Sequence, residues 1–308
     1  MKSQLEKVRA WLAKEGYPLE LEIGRQLRDA GVNDIEHGHL YRDQRSGKWR
    51  EVDILGTQFT LTGKPGEPTQ PPSFTLRFVV ECKYSHRPWL VLASESSQVE
   101  RQFPSGYLLG AVGSAIVRRA EMPNVGRYTT SGSGVTLKAF GLGAMRGHGV
   151  VQALGAKKAG PNMAYRAVRS VVAAAGAEAA RTDASLLAQV ALPGEPRVKQ
   201  VFLHLPVVVV QGSIFELSLN REGRESLREV EEAGLLAPGP HGKASPTLVR
   251  IVRPGVALKT LVGNAITDAQ LLTEVLRPEW ADHVRLAHLP QDDSPAALHL
   301  AALRARRE

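Results

Sequence analysis

The residues best suited to chemistry are two acids and a lysine carried on short apolar runs. Residues 74–83 are apolar and β-rich and end in Glu81-Cys82-Lys83; such a run reads as a buried strand. Strand side chains alternate faces, so Glu81 and Lys83 share one with Val79, while Cys82 turns to the other with Val80 and Phe78. A carboxylate and an ammonium therefore stand side by side at a strand end. Taken alone, Glu-x-Lys is ordinarily an ion pair and nothing more. Upstream, however, Arg50-Glu51-Val52-Asp53-Ile54-Leu55 is a second strand-like run that carries an acid. Carboxylates on two neighbouring strand ends are a way to hold a hard divalent cation, because Mg2+ commonly takes one or two and fills its octahedron with water and substrate phosphate. The backbone carbonyl of Cys82 offers a further oxygen, since a carbonyl needs no particular side chain.

The element that must bring a third acid to these strands is residues 17–31. Leu19, Ile23, Leu27 and Ala30 recur at helical spacing, and Gly31 is placed to end the helix. Glu20 lies one position from the apolar stripe and can project inward, whereas Glu22 faces solvent. An acid at a helix start is also an ordinary surface feature, so both placements of Glu20 stay open on the helix pattern alone.

The order of these residues resembles the core of the restriction-endonuclease-like, or PD-(D/E)XK, nuclease superfamily. The resemblance rests on Glu20 followed by Ile23, Gly24, Leu27 and Gly31, then Val52-Asp53-Ile54-Leu55, then Val79-Val80-Glu81-Cys82-Lys83, and it covers residues 15–92. It implies a metal-binding Asp on one strand, an acid-x-Lys on the next and a Glu on the preceding helix, which fall on Asp53, on Glu81 with Lys83, and on Glu20. Val52 stands where the superfamily's name has Pro, a frequent substitution. The implied fold is α/β, a mixed central sheet flanked by helices; by length the chain can form one such domain or two modest ones, and a single domain 1–308 is the expectation. The implied chemistry is Mg2+-dependent phosphodiester hydrolysis, with Mn2+ able to substitute and DNA the favoured substrate. Asp53, Glu81, Glu20 and the Cys82 carbonyl are the expected metal ligands; Lys83 is expected to orient or help deprotonate the attacking water and to offset charge in the transition state. The alternative is a catalytically inactive nucleic-acid-binding or scaffold protein on the same fold, because a fold does not by itself fix a function.

Charge distribution separates a grip from a site. The 308 residues carry a formal net charge of +8. Residues 101–181 hold eleven Lys and Arg against two acids, Glu121 and Glu178, an excess of nine, so the remainder is close to neutral. Within that stretch Arg118, Arg119, Lys157, Lys158, Arg166 and Arg169 are the candidate phosphate contacts, gripping without reading sequence. The same stretch is glycine-rich at 129–149, which suits either a backbone approaching phosphate or a surface loop. It lacks the Gly-Lys-Ser/Thr of a nucleotide P-loop and any clear dinucleotide fingerprint.

The rest of the chain supplies scaffold. Residues up to 13 form an expected helix with Leu5, Val8, Trp11 and Leu12 on one side, beside the Glu20 helix. Residues 32–41 lead into a first strand on which His37 and His39 share a face, 43–48 turn, and the four prolines of 63–72 make a loop. A strand is expected at 89–93 and a short helix at 95–102. The spacing of Met163, Ala167, Val171 and Ala174 predicts a helix opening at Pro161, ending at Gly176 or running on to 180. Residues 198–253 continue the sheet: a β-branched strand interrupted or restarted at Pro206, a strand at 213–219, a hairpin return or short helix from Ser226, and a strand at 247–253. Helices are expected at 268–276, stopped by Pro278, and at 296–306. One cysteine excludes an internal disulfide and fits a reducing compartment; Cys82 reads as buried filler behind the site. With no long apolar run and no leader-like start, the expectation is a cytoplasmic protein without membrane contact. Oligomeric state stays open, a homodimer included.

Overall fold

Among the described residues, ten strands pair edge to edge in one mixed sheet, and helices cover both of its faces. The computed structural model describes residues 3–15, 17–60, 73–95, 137–141, 145–154, 162–190, 200–219, 222–239 and 246–276. In chain order the helices are α1 (Gln4–Glu15), α2 (Tyr17–Asp29), α3 (Met163–Val190) and α4 (Val256–Leu276). The strands are β1 (Asp34–Arg42), β2 (Trp49–Thr60), β3 (Ser73–Tyr84), β4 (Trp89–Glu95), β5 (Met145–Gln152), β6 (Gln200–Gln211), β7 (Ile214–Leu219), β8 (Glu225–Val230), β9 (Glu232–Ala237) and β10 (Thr247–Val252). Their order across the sheet is β1-β2-β3-β6-β10-β9-β5-β4-β7-β8. β1, β2 and β3 form an antiparallel meander, and β3 then pairs in parallel with β6 over its whole length, from Ser73–Gln200 to Tyr84–Gln211. The α/β class and the continuation of one sheet through 198–253 are as the sequence indicates.

Each face has its own core. On one, Ile23 and Leu27 of α2 and Leu258, Leu261, Val262, Ala265 and Ala269 of α4 pack on Ile54, Phe78, Val80, Cys82 and the odd-numbered residues Leu203 to Val209 of β6. On the other, Ala164, Ala167, Val168, Val171 and Ala175 of α3 cover Val52, Val79, Val208, Val210 and Ile251. Ile23 and Leu27 are wholly buried, each worth about 1.5–3 kcal/mol, and they hold the acidic N-terminal turn of α2 against the sheet. Gly31 ends α2 at φ +101°, a left-handed conformation that a Cβ disfavours. α1 lies beside α2, with the Trp11 and Tyr17 rings 5.8 Å apart, yet Leu5, Val8 and Trp11 remain exposed.

Several expectations need correction. His37 and His39 do not share a face: Gly38 sits at φ +65° and breaks the alternation, so His37 lies against Gly24 of α2 while His39 points to α3. Pro206 does not interrupt its strand. β10 joins β6 only from Val207 onward, so at Pro206 one flank carries no ladder bond for the missing N–H to forfeit. α3 starts at Met163, with the Asn162 carboxamide accepting the Ala164 N–H at 3.0 Å, and it runs through Gly176 to Val190 because the surrounding alanines outweigh a glycine penalty of about 1 kcal/mol. α4 begins twelve residues before the expected start at 268. Residues 145–149 of the glycine-rich stretch are strand, not loop. Residues from Ser226 return as a hairpin with β7, and β9 follows as a further strand, antiparallel to β10. The loop 63–72, the helix expected at 296–306 and most of 95–102 lie outside the described residues. No helix among the described residues is long and apolar enough to cross a membrane.

Candidate active site

The site forms where two strands part. The β2–β3 ladder ends at Ile54–Val80, while β3 stays paired to β6 for four more residues. At the opening, the backbone of β2 no longer reaches the N–H of Cys82, and the Asp53 carboxylate accepts it instead, at 2.6 Å. N–H and C=O of one strand residue point to the same side, so the Cys82 carbonyl also opens toward this gap. Asp53 is thereby held by a charge-assisted bond to backbone, the kind of anchor that fixes a functional carboxylate.

Glu81 and Lys83 project to the α3 face, as alternation requires. Lys83 Nζ stands 2.7 Å from Glu81 Oε1 and 3.4 Å from Asp53 Oδ2. Since both oxygens touch one nitrogen, they can be no farther apart than those two distances laid end to end. The second oxygen of Glu81 accepts the Ser170 hydroxyl of α3 at 3.2 Å, and Tyr41 of β1 leans on the same turn of helix through its hydroxyl to the Ser170 carbonyl at 3.4 Å. Glu20 comes from α2, and its nearest charged influences are Asp53, Lys83, Glu51 and Glu81. Four predicted residues from a helix and two strands therefore converge.

Electrostatics mark the cluster as short of positive charge. Burial pushes Glu20 up to about 7, and the neighbouring Asp53 carboxylate pushes the same way. Burial, then Asp53, also raises Glu81 despite its contact with Lys83. Burial works against the Lys83 ammonium, but Glu81 and Asp53 more than offset it and its pKa is raised. Lys83 is therefore a cation at neutral pH and not a free base. Cys82 is buried in the apolar core, and burial holds its thiol well above its ordinary range, in keeping with a filler behind the site. Crowded acids with shifted pKa values, held by rigid strands, are what functional sites accumulate.

All donors here are oxygens, and two carboxylates plus water suit Mg2+ or Mn2+ better than a soft metal. Among the described residues, no three or more His, Cys, Asp or Glu side chains are grouped closely enough to enclose an ion by themselves. The arrangement thus offers two carboxylates and a backbone carbonyl, with Glu20 as an outlying fourth group.

Of the basic residues, Arg166 and Arg169 are exposed on α3, within one turn of Ser170; the Arg169 guanidinium lies 5.7 Å from the Tyr165 ring centroid. Arg118, Arg119, Lys157 and Lys158 lie outside the described residues. The part of the glycine-rich stretch at 137–141 is already committed: the Lys138, Ala139 and Phe140 N–H groups converge on the Asp268 carboxylate at 2.7–3.1 Å, and Arg250 donates to carbonyls of Lys138, Ala139 and Gly141. Those amides are not available to phosphate.

Sequence reasoning missed Ser170 and Tyr41. It also missed a second buried cluster, in which Glu178 of α3 accepts from Arg77 at 2.8 Å and Arg181 at 2.7 Å and meets His39 Nε2 at 3.0 Å. Nothing local in the sequence signals these contacts, which join residues 89 to 139 positions apart except for the Glu178–Arg181 pair. Comparison with protein-family models, with curated proteins and with solved structures finds no match for the chain.

Proposed function

We propose that this protein is a metal-dependent nuclease that hydrolyses phosphodiester bonds, with DNA the favoured substrate, and that its core is of the restriction-endonuclease-like kind. The observation that carries the reading is the convergence of Asp53, Glu81 and Lys83 where β2 and β3 part, with Glu20 approaching from α2. Asp53, Glu81, the Cys82 carbonyl and, directly or through water, Glu20 would hold Mg2+, which supplies Lewis-acid stabilisation of the phosphoryl oxygens and a more acidic water. Lys83 holds a positive charge beside the place where negative charge builds on the phosphate, and its N–H groups can orient the attacking water. Asp53, fixed by the Cys82 N–H, and Glu81, fixed by Ser170, present their oxygens without reorganisation. Exposed Arg166 and Arg169 offer phosphate contacts near the same helix turn.

The second reading, a nucleic-acid-binding or scaffold protein without catalysis, is favoured by one contact: the Lys83 ammonium already bridges Asp53 and Glu81 and can serve as their permanent counter-ion. One experiment separates the two. Purified protein is incubated with labelled duplex DNA, single-stranded DNA and RNA, with Mg2+, with Mn2+ or with chelator, alongside Asp53→Ala and Lys83→Ala. Metal-dependent cleavage lost in both variants supports the nuclease. Variants that cleave as fast as wild type would end the catalytic assignment, and metal-independent binding without cleavage selects the scaffold.

A further inference from the structure

The β1–β2 hairpin carries a feature that the site does not use. Residues 42–50 hold Arg42, Arg45, Lys48 and Arg50 against one acid, Asp43. That acid is spent locally, accepting from the Arg45 N–H, the Ser46 hydroxyl and Arg50 Nε. Arg42, Arg45 and Lys48 have no carboxylate partner among the described residues. Between these cations Trp49 is 69% exposed, and Leu40 beside it is also exposed. Beneath the hairpin, between it and α3, lies a cleft of about 630 Å³ lined by Tyr41, Arg42, Trp49, Glu178 and Arg181, among others.

Arg42 Nε donates to the Gly47 carbonyl at 3.3 Å, which leaves its charge unmatched; an aromatic face, cations without a carboxylate partner and a cleft of that size fit a nucleotide whose base is free to leave a stack. Flat aromatics bind unpaired bases by stacking, and neighbouring cations hold the backbone, with little regard to sequence. A continuous duplex offers its bases only at groove edges, so an aromatic face has nothing to stack on there. Position adds to this. β2 runs from Trp49 directly to Asp53, four residues on, about 13 Å at the rise of a strand. The hairpin therefore stands at the same end of the sheet as the gap between β2 and β3.

We propose that the β1–β2 hairpin binds an unpaired stretch of nucleic acid next to the candidate active site, with a base stacked on Trp49 and phosphates met by Arg42, Arg45 and Lys48. This rests on the nucleic-acid part of the function proposed above. It deepens that reading by naming the substrate class: single strands, or junctions with single-stranded arms, in preference to uninterrupted duplex.

The test uses the full chain in chelator, so that binding is read without cleavage, with a fluorescein-labelled oligothymidylate and a blunt duplex followed by anisotropy. Trp49 is exposed, so Trp49→Ala and Trp49→Phe are expected to fold as wild type does, checked by circular dichroism. Trp49→Ala should weaken single-strand binding about tenfold, the loss of one stacked base, while Trp49→Phe retains most of it and duplex binding is unchanged. Arg42→Gln with Lys48→Gln should lower the salt slope by about 1.4, at 0.7 per single-strand phosphate contact. Equal losses on single strand and duplex, or full single-strand binding by Trp49→Ala, would overturn the hairpin site. The nuclease reading is scored separately, by wild-type cleavage in Mg2+: cleavage with Trp49-independent binding keeps that reading and discards this one.

Discussion

Two acid–cation clusters lie on one face of β3, around Arg77 and around Glu81, and they are wired in opposite ways. At the first, Glu178 is buried, and the Arg77 and Arg181 guanidinium groups and the His39 ring meet its two oxygens. Burial would raise its pKa, but His39, Arg181 and Arg77 together bring it below the ordinary value. His204 beside it is fully buried and pushed down to about 3, by burial and then by Arg77, so it stays a neutral spacer between strand and helix. At the second, Glu20, Asp53 and Glu81 share one ammonium, and Glu20 and Glu81 are both raised. A buried charge fully matched by partners ties elements together; charges left in excess cost stability and persist where something outside the chain completes them. The same strand thus carries a cluster matched in charge and, four residues on, one in which the acids outnumber the cation.

Breaking each cluster should give opposite results. Asp53→Asn keeps the acceptor for the Cys82 N–H but removes charge from the crowded end. Cleavage is expected to fall about 1000-fold, while urea unfolding shows stability held or raised. A variant that loses activity only because it unfolds would erase the distinction.

Glu178→Gln should do the reverse at the matched cluster. It leaves Arg77 without its buried counter-ion and His39 with Glu36 alone, at 2.8 Å from Nδ1, so a loss of about 3 kcal/mol in unfolding free energy is expected. Equal stability of wild type and Glu178→Gln would mean that the matched cluster contributes no net stability.

Acid should separate the two regions by sign. Glu178 has a depressed pKa in the fold, so its contribution is complete above the ordinary 4.5 and is lost as pH falls through the depressed value. Glu20 is raised from 4.5 to about 7, so its ionisation opposes folding and the penalty is relieved as pH falls from about 7 to 4.5. Plotting unfolding free energy against pH, Glu20→Gln is expected to flatten the neutral-to-4.5 limb. Glu178→Gln should flatten the limb below it. Because Glu178 is also the main group raising His39, Glu178→Gln is expected to change the limb above 6.5 as well; if Glu20→Gln flattened the limb below 4.5, the assignment of charges to clusters would be wrong.

Smaller effects sharpen the comparison. Ser170→Ala frees one oxygen of Glu81 without touching the Lys83 contact; a loss of about tenfold or less in kcat is expected, the worth of one hydrogen bond to a charged group, with the Mg2+ concentration for half-maximal rate rising and Ser170→Thr restoring both. An unaltered metal dependence would leave Ser170 as packing alone. Arg166→Gln with Arg169→Gln should reduce the salt slope of duplex binding by about 1.8, at 0.9 per phosphate contact; an unchanged slope would put the grip elsewhere.

What the sequence determined by itself was local. The division of faces along 78–83, with Glu81 and Lys83 opposite Cys82, follows from the period of two, and the inward stripe of α2 at Leu19, Ile23, Leu27 and Ala30 follows from the period of 3.6. The spacing of Leu258, Leu261, Val262, Ala265 and Ala269 carries the helical period of α4 well before the expected start at 268. Tertiary structure decided everything that depends on which elements meet. Gly38 sends His39 to Glu178 in place of sharing a face with His37, Ser170 takes the free oxygen of Glu81, and Asp268 fills the amides of 137–141. Periodicity says which way a side chain points within its own element. It is silent on what lies opposite, because packing of a helix on a sheet is set by the summed burial of many residues and not by the few polar groups that it happens to bring together.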